Sequence, residues 1–128
     1  MQQPEGFKSV SQEKKVCHLL KAIYGLKQAS RQWHQKLRSA LLDMGFSQLS
    51  TDTSVYICHQ HGGITILMVY VDDIQIMGNS AAHIISVKQE LGKCFDLTDL
   101  GELDYFLGIR VTRDHKHRTL ELDQSKYI

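Results

Sequence analysis

The feature that most constrains this chain is an apolar segment interrupted by two adjacent carboxylates, Ile64-Thr65-Ile66-Leu67-Met68-Val69-Tyr70-Val71-Asp72-Asp73-Ile74-Gln75-Ile76-Met77. The eight residues before Asp72 contain neither Pro nor Gly and are rich in Ile, Val and Tyr, which predicts a strand buried on both faces. Ile74 to Met77 predicts the returning strand. Two ionised carboxylates between apolar strands repel each other and lose hydration, so protons or a cation usually neutralise them. Mg²⁺, which prefers oxygen ligands, would meet that need.

The aspartate pair also has a simpler interpretation. Asp is common in tight turns, so Asp72-Asp73 could be only the polar tip of a β-hairpin. The two residues alone do not separate a metal site from a plain turn, and the surrounding sequence has to decide.

Four blocks of the sequence resemble one enzyme family. Tyr70-Val71-Asp72-Asp73 resembles the Tyr-x-Asp-Asp signature of reverse transcriptases. Residues 1–7, 21–33 and 99–109 resemble blocks of the copia-type retrotransposon reverse transcriptase, in that family's order. The resemblance covers nearly the whole chain, and it favours the catalytic interpretation of the aspartates.

The resemblance implies an RNA-directed DNA polymerase that performs nucleotidyl transfer with two Mg²⁺ ions about 4 Å apart. Asp72 and Asp73 would be the catalytic metal ligands, with Asp72 closer to the ions. Tyr70 is expected on the same side as Asp72, against the last primer nucleotide. The implied partners are an RNA or DNA template with a DNA primer, deoxynucleoside triphosphates and, at full length, the rest of a retrotransposon polyprotein with integrase and RNase H.

Two further groups of residues carry expected contacts. Lys27, Gln28 and Arg31 lie in a block similar to the segment that closes over the template base and the incoming nucleotide, and a basic helix start suits a phosphate. Their alternative interpretation is a solvated basic face. Leu107 and Gly108 resemble the hairpin that holds the primer terminus, although a glycine inside a strand can equally serve packing.

The composition places the 128-residue chain in the ordinary globular class, with 42% hydrophobic and 23% charged residues. The net charge is only +1, but residues 1–48 carry eight Lys and Arg against three Asp and Glu, a net +5. The remaining residues carry seven against eleven, a net −4. The longest apolar run is too short to span a bilayer, so we expect an intracellular protein with no membrane contact.

The three cysteines, Cys17, Cys58 and Cys94, are widely separated and lack paired ligand spacing, so they are interpreted as reduced core thiols. Cys58-His59-Gln60-His61 has metal-binding side chains but no second ligand pair at zinc spacing, and an exposed turn is favoured there over a zinc site.

The periodicity of apolar residues predicts an α+β fold, a partial polymerase palm with an antiparallel sheet and two helices on one face. Ser30 is the expected cap of the first helix, and Gly45 follows its end. The predicted elements are a strand over Val16–Leu20, a helix over Ser30–Met44, a hairpin of Val55–His59 with the strand from Ile64, a helix after Ser80, and strands over Tyr105–Val111 and Thr119–Leu122.

The whole chain is interpreted as one partial reverse transcriptase domain, residues 1–128, in which residues 124–128 begin a following segment. The family has a third carboxylate on a strand before the block that residues 1–7 resemble, so we expect this chain to be a palm fragment that is inactive alone. Two alternatives remain: a catalytically dead remnant that binds nucleic acid or another chain, and a palm-fold nucleotide cyclase.

Overall fold

The fold is described here for residues 1–7, 14–23, 25–60 and 62–125 of a computed structural model. The helices are α1 (Ala29–Asp43) and α2 (Ala81–Cys94). The strands are β1 (Ser47–Gln48), β2 (Val55–Gln60), β3 (Gly63–Tyr70), β4 (Asp73–Gly78), β5 (Tyr105–Phe106), β6 (Ile109–Asp114) and β7 (Thr119–Asp123). The chain divides into two compact units, Met1–Leu41 and Leu42–Ile128.

The strands form two antiparallel sheets, both in the second unit. Sheet A has the order β1-β2-β3-β4, and sheet B has the order β5-β6-β7. The predicted α+β fold with antiparallel strands and two helices is confirmed. The difference is that the strands expected in one sheet belong to two.

Sheet A contains two consecutive hairpins. Gln60 pairs with Gly63 at the end of the first, and Tyr70 pairs with Asp73 across the two-residue turn of the second. Burial alternates along β3, and the prediction of a strand buried on both faces is therefore wrong. Apolar side chains occupy both faces of β3, so the sequence pattern could not show that one face is only partly covered.

The covered face of sheet A, here called the inner face, holds the side chains of Tyr56, Cys58, Thr65, Leu67 and Val69, each at most 5% exposed. Helix α2 lies against β4 and buries Val87 and Leu91. The hydroxyl of Thr65 and Nδ1 of His83 are 2.6 Å apart, which satisfies a fully buried polar group. Helix α2 thus covers the inner face.

Helix boundaries follow from local signals in the sequence. Helix α2 follows Ser80, as predicted, and Ser80 is its N-cap: the Ser80 side chain accepts a hydrogen bond from the amide of His83 at 3.3 Å. Gly45 follows the end of α1 with φ +85°, a conformation that glycine adopts without strain. Ser30 is not the cap of α1, because the turn at Leu26 already begins the helix at Ala29.

The predicted strand over Val16–Leu20 is wrong. These residues have no strand structure, and Leu20 is 91% exposed. Cys17 exchanges two backbone hydrogen bonds with Met1, at 2.8 and 3.1 Å, and the side chain of Gln3 donates to the carbonyl oxygen of Lys15 at 2.7 Å, but neither segment has strand structure. A run of apolar residues forms a strand only when a partner strand satisfies its backbone and covers its side chains.

Gly108 also differs from its prediction. The expected strand over Tyr105–Val111 is split into β5 and β6, and Gly108 lies in the turn between them with φ +82°. Gly108 is thus a turn residue and not a residue inside a strand. In the part of the chain that the structure describes, no helix is long and apolar enough to cross a membrane.

Candidate active site

The aspartate pair lies at the tip of the β3–β4 hairpin. Val71 and Asp72 form its two-residue turn, and Asp73 is the first residue of β4. Of the two turn residues, only Val71 has a positive φ, 54°, a conformation that favours glycine. A β-branched residue is rarely found at positive φ, so the surrounding structure must hold this turn in a strained form.

Both carboxylates are exposed at this tip. Oxygen ligands that reach into solvent suit Mg²⁺, which keeps several of its own waters when a protein binds it. Among the described residues, no group of three or more His, Cys, Asp or Glu side chains is placed to hold a metal ion. Asp72 and Asp73 can therefore supply part of a coordination sphere, and the ion would take its other ligands from water or substrate.

Tyr70 is the last residue of β3 before the aspartate turn. The register places it directly opposite Asp73, and directly opposed residues share a face of the sheet. Strand alternation predicted that Tyr70 shares a face with Asp72, but the turn interrupts the alternation at Val71 and Asp72, so that expectation stays a prediction. Tyr70 is 53% exposed, so its ring borders the open face of the hairpin.

A second hairpin tip adjoins the first. Leu107 and Gly108 form the turn between β5 and β6, both with positive φ, 50° and 82°, as in a type I′ turn. The ring of Phe106, just before this turn, meets the ring of Tyr70 edge to face, with centroids 6.3 Å apart and an interplanar angle of 80°. The structure therefore brings the Leu107-Gly108 turn close to the aspartate hairpin, although the two segments are far apart in sequence.

Lys27, Gln28 and Arg31 form a separate group. All three are exposed, Lys27 and Gln28 in the turn that leads into α1 and Arg31 in its first helical turn. They belong to the unit Met1–Leu41, whereas the two hairpin tips belong to the other unit. The expectation that this group meets a nucleotide or template stays a prediction.

The cysteines are only partly the core thiols that were predicted. Cys58 is buried on the inner face of sheet A, and burial raises the pKa of its thiol. Cys94, in contrast, is exposed at the end of α2. His59 is exposed while its neighbour Cys58 is buried, as alternation along β2 requires, so the two side chains point to opposite faces of the sheet. His61 lies outside the described residues.

Sequence reasoning did not single out Phe106. It lies inside the block 99–109, and its position directly before Leu107-Gly108 was the available signal. Gln75 was also missed: its Nε2 is buried and has no hydrogen-bond partner among the described residues.

An open groove of about 570 Å³ lies along sheet B beside Arg110 and Asp123. Neither Asp72 nor Asp73 lines this groove.

One family model matches the entire chain. The model describes reverse transcriptase (RNA-dependent DNA polymerase) and matches residues 1–128. The chain belongs to the reverse transcriptase family. The family assignment made from the four sequence blocks is thereby confirmed.

The relatives of this reverse transcriptase chain are parts of transposon proteins. It is 40% identical over 129 residues to the Retrovirus-related Pol polyprotein from transposon TNT 1-94 of Nicotiana tabacum. The aligned region covers all of the chain and 10% of that protein. It is 41% identical over 128 residues to the Pol polyprotein from transposon RE1 of Arabidopsis thaliana, again covering all of the chain but 9% of the relative. The putative transposon Ty5-1 protein of Saccharomyces cerevisiae is 33% identical over 111 residues, 87% of the chain and 36% of that protein.

The chain thus spans about a tenth of the length of the plant Pol polyproteins that it matches. It is a reverse transcriptase-like segment of the kind found in retrotransposon Pol polyproteins. No solved structure matches the chain.

Proposed function

We propose that this chain is the palm portion of a copia-type retrotransposon RNA-directed DNA polymerase, in which Asp72 and Asp73 bind the metal ions of nucleotidyl transfer. The observation that carries the proposal is the position of the Tyr-Val-Asp-Asp sequence. It forms a hairpin tip with two exposed carboxylates, and the tip of a second hairpin, proposed to hold the primer, lies against it.

The donor set fits Mg²⁺ in its chemistry, since both side chains offer carboxylate oxygens. When bound, a pair of Mg²⁺ ions would stabilise the charge on the attacking and leaving oxygens of the displacement. The proposed role of Asp72 and Asp73 is to bind these ions at the hairpin tip. An exposed tip leaves room for the triphosphate and the primer to complete the coordination.

The other site residues are proposed to bind and orient nucleic acid. Tyr70 would lie against the last nucleotide of the primer, and Leu107 and Gly108 would contact the primer backbone. At Gly108 the absence of a side chain permits the positive φ that the turn needs. Lys27, Gln28 and Arg31 would bind the incoming deoxynucleoside triphosphate or the RNA or DNA template, through cations and helix N-terminal amides.

Binding of a primer–template tests the role of the basic group. Fluorescence anisotropy with a labelled DNA primer on an RNA template should show affinity that falls steeply with salt, because bound cations displace counterions. Lys27→Ala and Arg31→Ala should each weaken binding and reduce the salt slope by about one.

Lys14→Ala is the matched control, since it removes an exposed lysine from the same unit but outside the proposed contacts. An equal loss of affinity in Lys14→Ala would contradict a specific role for Lys27 and Arg31, and would favour the alternative of a solvated basic face.

Primer extension tests whether the segment suffices for catalysis. We expect the 128-residue chain to extend a primer in Mg²⁺ no faster than its Asp72→Asn variant. Two carboxylates supply only part of the ligands that two Mg²⁺ ions need, and each tenfold loss in rate corresponds to about 1.4 kcal/mol of barrier. Extension clearly above the Asp72→Asn control would show that the chain is a complete polymerase.

A further inference from the structure

The two hairpin tips have the same local design. In each, the last strand residue before the turn is aromatic, Tyr70 in one and Phe106 in the other. In each, the next residue is a non-glycine residue at positive φ, Val71 at 54° and Leu107 at 50°. Conformations of this kind are strained and persist only where neighbouring contacts hold them.

The contact that joins the two tips is the edge-to-face pair of Tyr70 and Phe106. Tyr70 is bonded to Val71 and pairs with Asp73 across the turn, so a movement of its ring acts on both sides of the aspartate turn. Phe106 is bonded to Leu107 and pairs with Ile109, and it holds the corresponding position in the second hairpin. Sheets A and B contain no hydrogen-bonded strand pair in common, so the pair connects separate sheets.

We propose that Phe106 is a positioning residue for the Asp72-Asp73 turn. It acts through the ring of Tyr70 and couples the Leu107-Gly108 turn to the aspartates. The inference rests on the proposed function, because it takes Asp72-Asp73 as the metal-binding turn and Leu107-Gly108 as the primer contact. Its consequence is that a primer seated on the second hairpin stabilises the geometry of the first.

The coupling is testable in the free chain, without metal or nucleic acid, by ¹⁵N–¹H NMR. Phe106→Ala should move the amide signals of Val71, Asp72 and Asp73 and raise their hydrogen-exchange rates about two- to tenfold, the range expected for loss of one aromatic pair. Tyr70→Ala should reciprocally move the amide signals of Leu107 and Gly108. The variant carrying both changes should shift either turn no more than the single variants do, because both remove the same contact.

Two variants control for general damage to the fold. Tyr105→Ala removes the other aromatic ring of β5, whose side chain lies on the opposite face, and should leave the signals of Val71, Asp72 and Asp73 in place. Phe106→Tyr keeps the ring and should likewise leave the signals of Val71, Asp72 and Asp73 in place. If Phe106→Ala fails to fold, Phe106→Leu keeps the apolar volume without the ring and should give the same shifts at the aspartate turn.

The proposal is overturned if the three amides keep their exchange rates in Phe106→Ala or Phe106→Leu, whatever their signal positions, or if the effects of Tyr70→Ala and Phe106→Ala on exchange are additive. Either result would make the ring pair an incidental packing contact. This outcome is distinct from failure of the proposed function, which is tested by metal and primer binding and would leave the ring coupling unaffected.

Discussion

At the residue scale, the strained position of Val71 is the most specific feature of the aspartate turn. A positive φ in a two-residue hairpin turn favours glycine, yet the chain places a β-branched residue there at φ 54° with 62% of its surface exposed. Burial of an apolar side chain therefore does not account for valine at this position. Strain that packing does not explain is often found at functional sites.

Replacing Val71 with glycine should stabilise the chain. Relief of about 1–3 kcal/mol of strain exceeds the roughly 0.5–1 kcal/mol that a glycine costs in chain entropy. The free energy of unfolding, measured by urea denaturation, should rise by about 1 kcal/mol. Val71→Thr, which keeps the β-branch, should give no such gain. A lower stability in Val71→Gly would show that the turn is not strained.

At the element scale, α2 and its connections hold the inner face of sheet A. Two glycines at the ends of this region have opposite environments. A Cβ on Gly78, at the end of β4, would lie 2.9 Å from the carbonyl oxygen of Ile64 and 3.1 Å from the hydroxyl of Thr65. A Cβ on Gly92, inside α2, would meet nothing within 4 Å.

These two glycines give a matched pair of substitutions. Gly92→Ala should raise the free energy of unfolding by about 0.5–1 kcal/mol, since glycine inside a helix is less favourable than alanine by that amount. Gly78→Ala should lower it, because the new methyl group would collide with the β3 backbone. Thermal unfolding of both variants beside the original chain checks the signs. A Gly78→Ala variant as stable as Gly92→Ala would contradict the close approach of β4 to β3.

An ion pair whose strength depends on pH joins helix α2 to the segment that follows it. Lys88 Nζ donates to both carboxylate oxygens of Asp99, at 2.8 and 3.0 Å, and the amide of Gly101 donates to Oδ1. The hydrogen bond from Lys88, followed by that from Gly101, lowers the pKa of Asp99 below its ordinary 3.8. A lowered pKa contributes stability above the unfolded value, and that contribution disappears as pH falls through the folded value.

The free energy of unfolding of the original chain should therefore exceed that of Asp99→Asn by a constant amount at neutral pH. This difference should shrink as the pH falls below about 4. Urea titrations at several pH values measure it. In a Lys88→Gln background the pH dependence should shrink, because the main cause of the pKa shift is removed. Asp99 is exposed and Lys88 is half-buried, so added salt should also reduce the effect of the pair. A difference that stays unchanged down to pH 3 would contradict the pair.

Elements whose formation depends on signals within their own sequence were predictable. The hairpins around the aspartates and the helix after Ser80 combine apolar periodicity with turn or cap residues, and both appear as expected. The strand over Val16–Leu20 failed because strand formation depends on a distant partner, which local composition does not reveal. The contact between Tyr70 and Phe106 was also beyond the sequence, since no short-range pattern relates residues of different sheets.

At the scale of the whole molecule, the four sequence blocks predicted the family, and the match over residues 1–128 confirms it. The proposed site residues are divided between the two compact units. The aspartates, Tyr70, Leu107 and Gly108 lie in one unit, and Lys27, Gln28 and Arg31 lie in the other. The sequence showed this separation only as a contrast of charge, +5 in residues 1–48 and −4 in the remainder. Assembly of both groups around one substrate is part of the proposed function.

The central claim is that the tip of the β3–β4 hairpin binds divalent metal ions through Asp72 and Asp73. Titration of the ¹⁵N-labelled chain with Mn²⁺, which broadens nearby NMR signals, tests it most directly. The account predicts that Val71, Asp72 and Asp73 broaden first, that excess Mg²⁺ restores their signals, and that Asp72→Asn with Asp73→Asn abolishes the effect whereas Asp96→Asn does not. Broadening that is unchanged in the doubly substituted variant, or centred on the acidic segment 96–104, would contradict it.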